Sequence, residues 1–328
     1  MTRVLVTGSG GCIGSAAVDW LLEEGAEEVI GFNRSQQLSS VADQNPRLSF
    51  VTGDVADFSR LREVVGELQP SHVLHLAALQ TPDCRDYPMR GLEVNLVGTA
   101  NLFRACSEEL KKPLERFVFA SSGAVYGPRS LYGPKGVRPE DPYQPFNLYG
   151  YWKIAGEGMA QAFHQATGAP TVSLRLATTY GPGRDRGFTA AGTHALKAVA
   201  LGVPFEVPYK GHEHYHFSPD VGAGFGCAVL HPFSGYGAYN LRGTSQRIEK
   251  FLELLRQDAC NRSLSDHYKV SIAPDAEETP FVYELNDEST VSAFPEMPLT
   301  DLRQGIAESL DFFLGAIENG ELSANFLT

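Results

Sequence analysis

The chain has 328 residues, 43% hydrophobic and 20% charged, with 27 lysines and arginines against 39 aspartates and glutamates for a net charge of −12. The composition is that of a globular enzyme, and the acidic balance argues against nucleic acid or an anionic membrane surface as a main partner while leaving small molecules open. Five scattered cysteines form no CxxC pair, a strand pattern begins almost at residue 1, and no apolar run nears the roughly 20 residues that span a bilayer. The expectation is a cytoplasmic protein with reduced thiols, no leader peptide and no membrane segment.

In chain order, RVLVT (3–7), EVIGF (28–32), LSFVT (48–52), HVLHL (72–76), RFVFAS (116–121) and TVSLRL (171–176) read as buried strands. Amphipathic stretches such as SRLREVVGEL and NLVGTANLFRAC lie between them. Alternation of this kind predicts an α/β fold, a doubly wound parallel sheet with helices on both faces. After about residue 180 the pattern loosens into loops and two helical segments, SQRIEKFLELLRQ and LTDLRQGIAESLDFFLGAIENG. The expected organisation is a nucleotide-binding domain over 1–180 and a smaller C-terminal substrate-binding lobe over 181–328, the two interleaved.

VLVTGSGGCIGSAAVDWLLEEG runs from strand through a glycine turn into a helix, with Gly8, Gly11 and Gly14 as GxxGxxG. Glycine lets the backbone turn tightly and approach a pyrophosphate, and the N-terminus of the next helix favours the negative charge. Placed after the first strand, the motif has the context a dinucleotide site requires, so the sheet is read as Rossmann-type. The second strand ends VIGFNRS. An acidic residue at position 33 would suit the ribose of NAD and repel a 2′-phosphate. Asn33 followed by Arg34 and Ser35 favours NADP, with NAD left open because Arg34 can equally be solvated or stack on adenine. Asp54, in GDV, sits either near the adenine or in a plain strand-ending turn.

FNLYGYWKIAGE places Tyr149 four residues ahead of Lys153 at the start of a predicted helix, hence on one helix face. A free tyrosine has a pKa of about 10, so only about 0.1% is phenolate at pH 7. A nearby ammonium favours the phenolate. Such a tyrosine takes a proton from a substrate alcohol or returns one to a ketone, while hydride passes between the same carbon and a nicotinamide. Lys153 is also placed to hydrogen-bond the nicotinamide ribose. Y-x-x-x-K alone is common by chance. FVFASSGAVYG on the preceding strand adds Ser122, a second group for the same substrate oxygen. Trp152 is expected to face away and pack beneath the helix.

With VTGSGGCIG, HLAAL, VNLVGTANLFRAC, SSGAVYG, YGYWK, LRLATTYGPG and FPEMPLTDLRQGIAESLDFF together, the chain resembles an extended short-chain dehydrogenase/reductase of the NAD-dependent epimerase/dehydratase family over nearly its full length. The resemblance implies Ser122, Tyr149 and Lys153 as a catalytic triad. It implies cofactor contacts from Gly8, Gly11, Cys12, Ile13, Asn33, Arg34, Asp54, Val55, Leu76, Ala77, Ala78, Asn95 and Ala120, alongside Gly14, Ser35, Tyr149 and Lys153. Gln80, Ser122, Gly123, Thr178 and Arg184 are the expected substrate contacts. It further implies a homodimer built on helices near 85–108 and 149–167, with Leu92, Leu96, Ala155 and Phe163 available for burial.

The sequence also departs from the family pattern. The 4,6-dehydratases place an Asp-Glu pair just after the catalytic hydroxyl residue, where this chain has Gly123 and Ala124, so water elimination lacks its acid and base. Sugar-nucleotide members carry a diphosphate-binding arginine at the position of Glu213, and many have Asn in place of Thr178. Arg184, Arg186 and Arg242 remain as other phosphate contacts. His212, His214 and His216 in HEHYH share one face of a strand, which leaves zinc binding, substrate-pocket polarity and a solvated rim as readings, the last carrying most weight. No metal is expected, because the triad needs none. The function expected is an NAD(P)-dependent oxidoreductase acting on a secondary alcohol or ketone of a sugar-like or polyhydroxylated substrate. A nucleotide-sugar 4-epimerase with tightly bound NAD is the alternative, and a non-catalytic NAD(P)-binding sensor a further one.

Overall fold

The computed structural model describes residues 2–35 and 45–323. Its first half alternates β1 (Arg3–Thr7), α1 (Cys12–Glu23), β2 (Glu28–Asn33), β3 (Leu48–Thr52), α2 (Phe58–Leu68) and β4 (His72–His75). The chain then runs through α3 (Thr81–Asp86), α4 (Pro88–Gly91), a π-helical stretch at Leu92–Val97 and α5 (Gly98–Glu109). It continues into β5 (Arg116–Ser122), α6 (Leu148–Thr167) and β6 (Thr171–Leu176). Three of the six expected strands have the expected ends, and the other three differ by a single residue at one end.

Beyond β6 follow β7 (Thr178–Tyr180), α7 (Ala191–Leu201), β8 (Phe205–Lys210), β9 (His212–Phe217) and α8 (Ser218–Leu230). The last elements are β10 (Tyr236–Asn240), β11 (Thr244–Arg247), α9 (Ile248–Asn261), β12 (Val270–Glu278), α10 (Glu288–Ala293) and α11 (Leu302–Glu318). The main sheet has seven parallel strands in the order β3-β2-β1-β4-β5-β6-β10, so its last strand arrives from late in the chain. Two small sheets, β11-β9-β7 and β12-β8, stand beside it.

The strands read as unbroken apolar runs because both faces of the sheet are covered. Val4, Leu5, Val6, Val73, Leu74 and Val118 have no exposed surface. Ala17, Leu21, Phe225 and Ala228 from α1 and α8 pack on one face, and Leu61, Val65, Leu102 and Ala160 from α2, α5 and α6 on the other. A separate core joins α7, α9 and α11 through Leu196, Phe251, Leu255, Ile306 and Phe313. Strand order reverses between β1 and β4, and such a switch point opens a crevice at the carboxyl ends of the strands. Among the described residues, no helix is long and apolar enough to cross a membrane.

Candidate active site

A cleft of about 1030 Å³ occupies that crevice. All the residues expected to contact cofactor or substrate line it, Asn95 apart. The glycine loop is packed as closely as a backbone can be. Gly8 has φ 74°, and a Cβ there would come within 2.9 Å of the Ala77 nitrogen. A Cβ on Gly14 would lie 2.2 Å from the Gly8 carbonyl. Helix α1 starts from Gly11 with no side-chain cap and no acidic residue in its first turn. Its free N–H groups and positive end therefore face the cleft, a cradle that fits the diphosphate of a dinucleotide.

Asn33 has a second task. Its Oδ1 accepts from the Gly10 N–H at 3.0 Å and its Nδ2 donates to Ser9 Oγ at 2.7 Å, so it braces the glycine loop. Arg34 and Ser35 are exposed at the rim. Asp54 accepts from the Ala56 N–H at 2.9 Å and pairs with Arg90. Cys12 points its thiol at the Pro182 carbonyl at 3.5 Å, and burial pushes that thiol up to about 11, which keeps it protonated and unreactive.

Asn147 caps α6 by accepting from the Gly150 N–H at 2.9 Å, which fixes where the helix begins. Tyr149 and Lys153 then share one face, with Lys153 Nζ 5.5 Å from the phenol ring centroid. Lys153 Nζ donates to the Ala120 carbonyl of β5 at 2.6 Å. Ser122, at the end of β5, accepts from the Ala124 N–H at 3.1 Å and stands beside the Tyr149 phenol. The electrostatics differ from the sequence expectation. Burial pushes the Tyr149 phenol up to about 12, opposed first by the Ser122 hydroxyl, with the Arg184 charge helping further out. Burial also pulls Lys153 down to about 8. The two groups are thus held closer to neutral than free side chains would be. Trp152 is buried away from the pair, its ring lying where a Cβ on Gly91 would be.

Arg184 reaches into the cleft from the loop after β7, whose Pro182 and Gly183 back onto Cys12 of the glycine loop. Thr178 does not offer its hydroxyl to a substrate, because that hydroxyl donates to Glu213. Glu213 is completely buried, and burial raises its carboxyl to about 7 against the influence of Thr178, Tyr209 and Arg184. Arg186 and Arg242 do not line the cleft. Arg242 is spent on the Met297 carbonyl at 2.6 Å and on Asp287 at 3.5 Å.

Asn95 is the residue set back from the cleft. Its amide clamps the segment after β4, accepting from the Leu79 N–H at 2.7 Å and donating to the Leu79 carbonyl at 2.9 Å. It sits in the π-helical stretch, which turns it toward that loop. The solvated-rim reading of HEHYH is corrected: His214 and His216 are buried, and His212 stacks on Tyr283 with ring centroids 4.5 Å apart. His216 Nε2 accepts from the Ala177 N–H at 2.9 Å while Nδ1 donates to the Arg242 carbonyl at 2.7 Å, which locks a neutral ring. None of the three lines the cleft. Among the described residues, no cluster of three His, Cys, Asp or Glu could hold a metal ion. Sequence reading missed the roles of Ser9, Tyr209 and Glu213, whose positions are set by long-range packing.

A seven-stranded parallel sheet whose first turn is a glycine cradle, facing a serine, a tyrosine and a lysine across one cleft, defines a Rossmann-type dinucleotide-binding protein. The chain belongs to the NAD dependent epimerase/dehydratase family, whose model matches residues 4–241, and so to the extended short-chain dehydrogenases/reductases. It is 29% identical over 217 residues to dTDP-glucose 4,6-dehydratase of Haemophilus influenzae, covering 61% of this chain and 60% of that protein. It is 26% identical to UDP-glucuronate 4-epimerase 2 of Arabidopsis thaliana, covering 97% of this chain and 77% of that one. Apart from that epimerase, the chain spans between about half and two thirds of the length of the curated relatives it matches first. Among solved structures, UDP-glucose 4-epimerase of Thermus thermophilus complexed with NAD superposes with a TM-score of 0.78 at 28% identity, covering 96% of this chain and 99% of that one. A partial consensus L-threonine 3-dehydrogenase, at TM-score 0.82 and 21% identity over 95% of this chain and 99% of that one, shares the fold.

Proposed function

We propose that this protein is an NAD(P)-dependent oxidoreductase that moves a hydride to or from a secondary alcohol or ketone carbon of a sugar-like, polyhydroxylated substrate. The observation that carries this reading is the placement of Ser122, Tyr149 and Lys153 in one cleft with the glycine cradle. The bound dinucleotide supplies the hydride acceptor or donor. Ser122 holds the substrate oxygen. On reduction Tyr149, held as a neutral phenol by burial, gives its proton to the substrate oxygen; in the oxidative direction it takes the hydroxyl proton only once ionised, and Lys153 fixes the tyrosine's surroundings from its anchor on β5. The test is the purified protein with each nucleotide and a panel of alcohols, ketones and sugars. Silence toward all of them, sugar nucleotides included, would revive a non-catalytic sensor.

NADP is the proposed preferred cofactor. Arg34 supports it, exposed at the ribose end and paired with no carboxylate among the described residues. Calorimetric titration of both nucleotides checks this: tighter NAD binding, unchanged in Arg34→Ala, would reverse it. The names of the relatives favour a second reading, a nucleotide-sugar 4-epimerase that returns the hydride to the opposite face of a transient ketone. Mass analysis of nucleotide released from denatured protein separates the two. Stoichiometric bound cofactor favours the epimerase, and an empty site favours a dehydrogenase that exchanges cofactor each turnover. Dehydration is set aside, because Gly123 and Ala124 provide no acid or base.

A further inference from the structure

Between Cys12 of the glycine loop and the Tyr149 phenol, the cleft carries a cation without a counter-ion. Among the described residues, Arg184 pairs with no carboxylate. Its Nη2 donates to Thr189 Oγ1 at 3.1 Å, its Nη1 faces the Gln80 side-chain amide, which accepts from it once that amide is turned end for end, and its Nε is buried with no acceptor. A partly buried guanidinium with an unused donor is costly unless something in the working protein meets it. The loop that presents it is specially built. Gly181, Gly183 and Gly187 all have φ between 77° and 107°, and the Pro182 carbonyl between them accepts from Ser218 Oγ at 2.9 Å. The charge lies close enough to the Tyr149 phenol to influence its proton.

We propose that Arg184 recognises the substrate, and that this substrate carries a single anionic group, a carboxylate or a phosphate monoester, beside its reacting carbon rather than a nucleoside diphosphate. The inference deepens the oxidoreductase reading and rests on it. One guanidinium satisfies one carboxylate or phosphate through its planar fork. The other cations of the cleft are committed or remote: Lys153 to the Ala120 carbonyl, Arg85 to Asp86, Arg34 to the ribose end. Among the described residues, a second phosphate would find no further free cation on the cleft wall.

The test compares wild type, Arg184→Met and Arg184→Lys, each loaded with nucleotide, on neutral hexoses, hexuronic acids, hexose 6-phosphates and UDP-hexoses. The expected result is a kcat/KM for the acid or the monophosphate at least about 10-fold above that of the parent hexose. Arg184→Met should lose about 10- to 100-fold of it, mainly in KM, the scale of a hydrogen bond to a charged group. Arg184→Lys should retain part. Whichever of the acid and the monophosphate is preferred names the anion. A UDP-hexose as best substrate, or an unchanged preference in Arg184→Met, overturns the inference. Calorimetry of the nucleotide itself should differ less than about 2-fold between wild type and variant, and a loss of about 10-fold or more would assign Arg184 to the cofactor's diphosphate instead. If nothing is turned over, the oxidoreductase reading fails separately. Calorimetry of the hexuronate and the hexose phosphate on loaded protein then decides: binding lost in Arg184→Met sustains the anion site, and equal binding in both proteins ends it.

Discussion

At the scale of single residues, the site is a set of titratable groups displaced by burial. Tyr149→Phe keeps the ring and deletes only the phenol oxygen. Its fold and nucleotide binding should survive while the chemical step falls by at least about 10²-fold, the scale of a positioned acid or base. Lys153→Met should do similar damage and weaken nucleotide binding, and Ser122→Ala should cost less because the proton carrier remains. Rate and thermal midpoint measured on the same three variants decide it; a folded Tyr149→Phe with normal turnover ends the assignment. Glu213 makes a pH prediction. Its folded pKa of about 7 is raised above the usual 4.5. The stability it contributes is therefore full below about pH 4.5 and is lost as pH rises through about 7. Glu213→Gln carries no such proton. Its thermal midpoint relative to wild type should move upward between pH 5 and pH 8, with Arg184 and Tyr209 still beside it. A constant difference across that range would contradict the buried, proton-holding carboxyl. Most cleft residues were legible because glycines, Tyr-x-x-x-Lys and the serine have fixed offsets from strand ends. Asn95 was not, because a π turn shifts the helical phase that its position implies. Glu213 read only as a misplaced charge, since its partners Thr178 and Tyr209 come from other strands.

At the scale of elements, α6 matters most, because it carries the tyrosine and the lysine. Two glycines seat it. A Cβ on Gly150 would lie 2.2 Å from the Ala124 carbonyl, and one on Gly156 would lie 2.3 Å from the Phe119 ring. Glu157 then locks it to the sheet. It takes Arg175 of β6 through two bonds, Nε at 2.8 Å and Nη2 at 2.7 Å, with the Tyr143 hydroxyl donating at 2.8 Å. Arg175 and Glu157 are both almost fully buried. Glu157→Gln should destabilise by about 3–5 kcal/mol, since it strands a buried guanidinium. Urea unfolding measures that, and a loss below about 1 kcal/mol would show the pair to be dispensable. Gly150→Ala should cost about 1–3 kcal/mol by overpacking and lower kcat as well, because a backbone carbonyl cannot step aside. Chemical denaturation with turnover assays tells this from a purely structural cost. The six leading strands were legible as apolar runs. β7, β8, β11 and β12 were not, because they are short or half-polar and owe their pairing to distant partners.

At the scale of the molecule, the proposed homodimer face needs revising in its residues. Phe163 is buried in the core beside Phe103 and Phe117, so it cannot be shared with a second copy. Leu92, Leu96 and Ala155 stay half-exposed, and the same helical region also exposes Tyr87, Met89, Val97 and Tyr151. These are the side chains a dimer through α4, α5 and α6 would cover. Light scattering across a dilution series should return twice the chain mass, and Tyr151→Glu should lower it. A constant single-chain mass would refute the assembly.

The late strand β10 has a consequence for how the chain is made. Until residue 240 has left the ribosome, β6 has no neighbour on its outer side, and its backbone groups form an open edge. The helix α8 that packs beside α1 also arrives late, so one face of the nascent sheet is covered by α1 alone for the same interval. A fragment ending at residue 180 would carry that edge permanently and should aggregate rather than fold. The intact chain, with its sheet completed by a strand that follows β7, β8 and β9, should melt in one calorimetric transition. Two separated transitions would mean that the sheet closes without β10.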